Sequence, residues 1–204
     1  MLTKLLNLLF ALVVISQSAL AQLPSIKPSY TPPKYHVWGP KPIEATDGPT
    51  DPWTFDDIMC GAPYFESTTA SSTLAGEGKK NYLISNICDD DPTTAWVEGK
   101  ADYGIGEFFE IKDFYIMGGA ISILNGYQSS KTTWENNSRV KKLKVTQNGK
   151  DICMLELADV MGVQTFPFRE SWNEGKFRFT IVEVYPGLKY KDTAITGIFS
   201  CFTN

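Results

Sequence analysis

From Phe55 onward the apolar residues of this 204-residue chain come in short runs cut by turn residues. That pattern restricts the fold more than any other feature. Glu107-Phe108-Phe109-Glu110-Ile111 and Ala120-Ile121-Ser122-Ile123-Leu124 read as strands, the second closed by Asn125-Gly126. Val140 to Thr146 and Asp151 to Leu157 flank Asn148-Gly149, a dipeptide suited to the two positive-φ positions of a type I′ hairpin. Lys176 to Tyr185 alternates polar and apolar residues and stops at Pro186-Gly187, and Ala194 to Phe202 supplies a last strand. Helix-period stretches are absent apart from short turns near Asp56 to Met59 and Leu157 to Met161. Strands at this spacing predict an all-β sandwich or barrel, and about 150 residues are enough for one sound core.

The segments before that domain have other characters. Residues 1–21 carry Lys4, an apolar run from Leu5 to Ile15 and the small-residue site Ala19-Leu20-Ala21, which is the order of a secretory signal peptide. The run is too short for a membrane span, which needs about 20 residues. Residues 22–55 hold Pro24, Pro28, Pro32, Pro33, Pro40, Pro42, Pro49 and Pro52. Proline lacks an amide donor and disfavours helix in the residue before it, so this lead is expected to be extended. Residues 56–204 are then one domain of an exported protein, extracellular or periplasmic.

Composition narrows the chemistry. Nineteen basic residues against 23 acidic ones give a net charge of −4, which offers no field for nucleic acid. His36 is the only histidine, so histidine-based triads, metalloprotease helices and multi-histidine zinc sites are nearly excluded. Cys60, Cys88, Cys153 and Cys201 are well separated, and in an oxidising compartment they read as two disulfides rather than a metal site. Three connectivities are open.

Several motifs follow in order. Asn86-Ile87-Cys88-Asp89-Asp90-Asp91-Pro92-Thr93-Thr94-Ala95-Trp96-Val97-Glu98-Gly99 precedes Gly104-Ile105-Gly106-Glu107 and Asn125-Gly126-Tyr127. Trp134, Asn137 and Arg139 come next, then Val184-Tyr185-Pro186-Gly187 and Tyr190-Lys191-Asp192-Thr193. From about Tyr64 to Phe199 this order resembles the discoidin-like (coagulation factor 5/8 type C) domain. It is most similar to the bacterial NADase-type glycan-binding, or NAD glycohydrolase translocation, subgroup, named for its occurrence beside a secreted NAD-glycohydrolase toxin. The resemblance implies a jelly-roll β-sandwich of about eight antiparallel strands whose loops at one end bind ligands, often sugars. It also implies termini lying close together, with Cys60 paired to Cys201 and Cys88 left for Cys153.

Two sets of residues are expected to carry function. Related domains hold a structural calcium in a loop matching Asp89, Asp91 and Thr94, completed by a glutamate on the final strand. Here Gly197 stands where that glutamate is expected, and the alternative is an aspartate turn capping its own amides. A sugar site needs an aromatic platform with a few fixed polar groups. Tyr127, Trp134 and Trp172 are the platforms considered, with Asn137 and Arg139 as polar contacts. For each residue the competing role is structural: rim packing for the rings, and carbonyl bonding for the arginine fork. Trp96 is expected in the core.

Three functions compete. The first is a non-catalytic module binding glycans or cell-surface glycoconjugates. The second is a module that docks a secreted protein through the lead. The third is a two-carboxylate glycoside hydrolase drawing on Glu98, Glu107, Glu110, Asp113 and Asp192, which would need two acids about 5–10 Å apart in a cleft. The chain has no room for the toxin's separate enzymatic domain, so no NADase activity is expected. The reading adopted is a binding module rather than an enzyme.

Overall fold

The computed structural model describes residues 23–29, 31, 65–78, 80–116 and 119–200, with 54–55, 58–61 and 201–203 as strand backbone. The signal-peptide reading and His36 lie outside the described residues. Twelve strands are assigned among those described: β1 Ser25–Ile26, β2 Thr54–Phe55, β3 Ile58–Gly61, β4 Ser67–Ala70, β5 Trp96–Val97, β6 Phe108–Tyr115, β7 Gly119–Asn125, β8 Ser138–Gln147, β9 Lys150–Glu156, β10 Val163–Pro167, β11 Glu174–Tyr185 and β12 Thr193–Thr203. One run of pairing is β4-β6-β11-β8-β9, and the other is β10-β7-β12, with β3 and β5 on the flanks of β12. The two runs join where Thr193 and Ala194 meet Ser138 and Arg139 in parallel. The result is a β-sandwich.

Period-two alternation explains the layers. On β11, Phe177, Phe179 and Ile181 are buried while Lys176, Arg178 and Thr180 face outward. Phe179 stacks on Phe109 of β6 at 4.9 Å between centroids, and Trp96 meets Phe109 edge-on at 5.5 Å. Ile121, Ile123, Phe166 and Ile198 complete the same core from the second run. Each fully buried side chain of this size contributes about 1.5–3 kcal/mol. Along β8 the inward residues Val140 and Leu143 break strict alternation, and a bulge opposite Ile181–Val184 absorbs the mismatch.

The Asn148-Gly149 hairpin forms as expected between β8 and β9, with φ of +49° and +83°. The turns expected to be helical do not form: Ile58 and Met59 belong to β3, and Leu157 to Met161 has no helix. Instead a short helix, α1 (Lys131–Asn136), stands before β8. Its first turn is a capping box, in which the Ser130 hydroxyl accepts from the Thr133 N–H at 3.0 Å and Thr133 Oγ1 accepts from the Ser130 N–H at 2.9 Å.

The lead does more than lie extended. Ser25 and Ile26 pair in parallel with Met154 and Leu155, and the Ser29 N–H donates to the Thr165 carbonyl at 2.7 Å. The segment therefore covers the open edge of β9, which would otherwise present unpaired backbone groups. No described helix is long and apolar enough to cross a membrane.

Candidate functional site

At one end of the sandwich, loops before β5, after β7 and before β12 enclose a cavity of about 290 Å³. That is near the lower end of the range for ligand pockets, about 300–1,000 Å³, and suits a small ligand. Its walls include Glu77, Lys80, Tyr82, Tyr127, Thr133, Asn136, Asn137, Tyr190 and Asp192.

Buried polar pins hold this end rigid. The Asn125 amide donates to the Val140 carbonyl at 2.8 Å and accepts from the Val140 N–H at 2.9 Å, tying β7 to β8 across the sandwich. Gln128 donates to the carbonyls of Asn125 and Gly162 and accepts from the Gly162 N–H. The C-terminal end of α1 is laced to the loop after β11. Leu188 N–H donates to the Glu135 carbonyl at 2.9 Å, and Tyr190 N–H donates to the Asn136 carbonyl at 2.8 Å. Gly187 makes this possible, since a Cβ there would lie 2.5 Å from the Asn137 carbonyl carbon and 2.6 Å from the Tyr190 oxygen. Tyr190, 42% exposed, is thereby set at the cavity rim beside Asn136 and Asp192.

The expected ligand residues divide. Tyr127 and Asn137 line the cavity, although Tyr127 is only 7% exposed and meets Tyr82 edge-on at 6.3 Å. Burial raises the phenol pKa of both tyrosines above the ordinary value. The Asn137 amide donates to the Thr133 carbonyl at 2.9 Å.

Trp134, on the buried face of α1, and Arg139, packed against it, do not line the cavity. Trp134 is 2% exposed, and its indole N–H donates to the Asn125 carbonyl at 2.9 Å. The Arg139 guanidinium sits 4.5 Å from the Trp134 ring centroid, is paired with Asp159 at 2.7 Å, and donates to the carbonyls of Trp134 and Asn137. Gly126, at φ +83°, closes this knot, because a Cβ would stand 2.6 Å from Arg139 and 2.7 Å from Trp134. Trp172 lies elsewhere, packed on Phe168 at 5.7 Å within the main core. None of the three expected rings except Tyr127 reaches the cavity.

Of the acids considered for hydrolysis, Asp192 and Glu107 lie near enough to Glu98 for their charges to act on it, but Glu98 and Glu107 do not line the loop cavity. Glu98 is fully buried, and its two oxygens accept from the N–H groups of Lys100 and Thr193. Burial raises its pKa, against those two bonds. On Glu107 burial also opposes charge, but hydrogen bonds from Ser71 and Ser72, with Lys100 nearby, hold its carboxyl below the usual range. Glu110 is bound by Lys176 and Arg178. Asp113 is exposed at the end of β6. Only Asp192 of the five lines the cavity, where Glu77 is the other carboxylate.

The aspartate loop is a self-bonded turn. Asp91 N–H donates to Asp89 Oδ1 at 2.9 Å, Thr93 N–H to Asp91 Oδ1 at 2.8 Å, and the Thr94 hydroxyl to Asp89 Oδ2 at 2.7 Å. Gly197 lies under the Phe199 ring, 2.7 Å from where its Cβ would be. No group of three metal-binding side chains gathers among the described residues. This donor set fits the turn and not a calcium cage, which needs six to eight oxygens.

Cys88 and Cys153 are free thiols, so the bridge expected between them is not formed. Burial pushes each thiol pKa up to about 12. Cys60 and Cys201 are direct register partners between β3 and β12.

Residues 60–200 match the family model for the NAD glycohydrolase translocation F5/8 type C domain. The chain belongs to this family. Among solved structures, it is similar to the paired family 32 carbohydrate-binding modules of Clostridium perfringens ZmpB in complex with GalNAc. That match has a TM-score of 0.51 at 12% identity and covers 78% of this chain and 41% of that one. The same modules joined to their M60 catalytic domain give 0.52 at 12% identity, covering 76% and 15%. The family 32 module of C. perfringens NanJ in complex with galactose gives 0.48 at 15% identity, covering 66% and 92%. At these identities the likeness shows the fold alone. No curated protein matches the chain.

Among the cavity residues that escaped the sequence reading are Tyr82, Asn136 and Tyr190. Tyr190 stood in a quoted motif, and Asn136 follows the Ser130-Lys131-Thr132-Thr133 capping signal that announces α1. Tyr82 carried no signal.

Proposed function

We propose that the chain is a secreted, non-catalytic module that binds the end of a glycan in the loop cavity. The observation that carries this reading is Tyr190, a ring exposed at the rim of a small cavity whose walls hold amides and carboxylates. A half-exposed aromatic can stack on the apolar face of a pyranose while Asn136, Asn137 and Asp192 take its hydroxyls. Membership of the NAD glycohydrolase translocation F5/8 type C family and a fold neighbour solved in complex with GalNAc support it. The leader composition of residues 1–21 supports export. The reading requires no calcium, because the aspartate loop satisfies itself.

A glycan array of the protein from Gln22 onward, with and without calcium, tests this, with GalNAc and galactose included among the probes. Hits should appear in both conditions and weaken about tenfold in Tyr190→Ala with melting unchanged. A blank array from folded protein, or hits indifferent to Tyr190, would shift the function to a protein partner. Release of free sugar by the protein would establish catalysis and refute the non-catalytic reading.

A further inference from the structure

The outward face of the β6–β11–β8–β9 layer carries a second concavity, of about 510 Å³, that shares no lining residue with the loop cavity. Strand register builds it. Glu110 stands opposite Arg178, Arg178 opposite Thr146, and Thr146 opposite Asp151, so one row crosses four strands. The next row sets Phe108 opposite Thr180 and Thr180 opposite Lys144.

The charges in this groove are layered. Glu110 Oε2 lies 2.7 Å from Lys176 Nζ, and Oε1 lies 2.8 Å from the Arg178 guanidinium. The Glu110 side chain is 13% exposed, whereas those of Lys176 and Arg178 are 51% and 44% exposed. One carboxylate beneath two cations leaves a positive charge over, and the geometry turns it toward solvent. Lys144, 3.1 Å from Asp151, adds a third cation at the same wall. The whole chain carries −4, so this local surplus does not follow from composition.

The groove also has an apolar surface. The Arg178 guanidinium lies over the Phe108 ring, 4.0 Å from its centroid, so cation and ring are stacked at this wall. The hydroxyls of Thr146 and Thr180 line the same wall. With Nε and Nη2 of Arg178 turned onto Glu110 Oε1, the outer Nη1–Nη2 edge of the guanidinium is the edge left to bond a carboxylate or sulfate. The ring accepts the apolar edge of a pyranose, and threonine hydroxyls bond its neutral groups. One surplus charge is too little to hold a nucleic-acid backbone, whose affinity rests on many neutralised phosphates.

We propose that this groove is a second binding site, for a carboxylated or sulfated oligosaccharide, separate from the loop cavity. It does not depend on what the loop cavity binds.

Calorimetry with an oligogalacturonate, a heparin-derived oligosaccharide and a neutral galacto-oligosaccharide tests it, the first two separating carboxylate from sulfate. At least one acidic probe should bind. Its affinity should fall steeply toward about 1 M salt, where screening acts within about 3 Å. Lys144→Gln combined with Lys176→Gln should weaken it about tenfold or more, while Tyr190→Ala leaves it unchanged. Amide resonances of Phe108 and Thr180 in the unmodified protein should shift on titration, a readout that needs no variant to fold. Failure of both acidic probes to bind overturns the proposal. So does equal binding by the double variant, or an equally tight complex with duplex DNA.

Discussion

Trp134→Ala separates a supporting role from a ligand platform. The indole is 2% exposed, donates to the Asn125 carbonyl at 2.9 Å and lies under the Arg139 guanidinium at 4.5 Å. Truncating a buried tryptophan costs about 3–5 kcal/mol. Losing the cation–π contact adds about 1 kcal/mol. The orphaned carbonyl adds little, because Asn125 O still accepts from the Gln128 amide at 3.1 Å. A loss of about 4–6 kcal/mol is expected, or about 8–24 °C in melting temperature for a domain of this size. Urea unfolding at constant m-value measures it. Trp134→Phe should recover most of the loss by restoring the ring. A melting temperature within about 2 °C of the unmodified protein would refute the placement of the Trp134 indole on the buried face of α1.

Other perturbations test separate parts of the account. Gly126→Ala should destabilise by about 2 kcal/mol or more, through a strained φ of +83° and a clash with Arg139 and Trp134; thermal melting would detect it, and an unchanged value would contradict the knot. For acid stability, burial opposes the charge on Glu110, but Lys176 and Arg178 together hold its carboxyl below the usual range. A carboxyl lowered in the folded state stabilises above its unfolded pKa of about 4.3, and that stability is lost as pH falls through the folded value. Glu110→Gln should therefore be less stable than the unmodified protein at pH 7, with the gap closing as acid protonates Glu110; a gap constant with pH would refute the pairing. Non-reducing peptide mapping should find Cys88 and Cys153 as separate thiols and Cys60 joined to Cys201. Cross-strand partners have Cα atoms about 4.5–5.5 Å apart, inside the disulfide range of about 4.4–6.8 Å. A Cys88–Cys153 bridge would contradict the geometry.

Local sequence rules reached as far as local physics decides the outcome. Asn148-Gly149 announced its hairpin because few other dipeptides accept two positive φ values. The alternation of β11 announced its inward face, since burial enforces period two. What escaped depended on tertiary contacts. Helix α1 is six residues long, too short for periodicity to show, and only its capping box marks it. Trp134, Trp172 and Tyr190 all sit in polar stretches, yet the first two are buried and the third is not. Gly126 lets Trp134 and Arg139 pack close, Gly187 sets the Tyr190 loop against α1, and Trp172 is buried against Phe168 in the main core. The edge strand in the lead was hidden because its pairing partner, Met154-Leu155, lies far along the chain.

The central claim is that the loop cavity binds sugar, and amide chemical-shift mapping with the strongest neutral array hit tests it most directly. The account predicts perturbations concentrated at Tyr82, Tyr127, Asn136, Asn137, Tyr190 and Asp192, which share the cavity wall. Shifts confined to other surfaces, with these six signals unmoved at saturation, would contradict it.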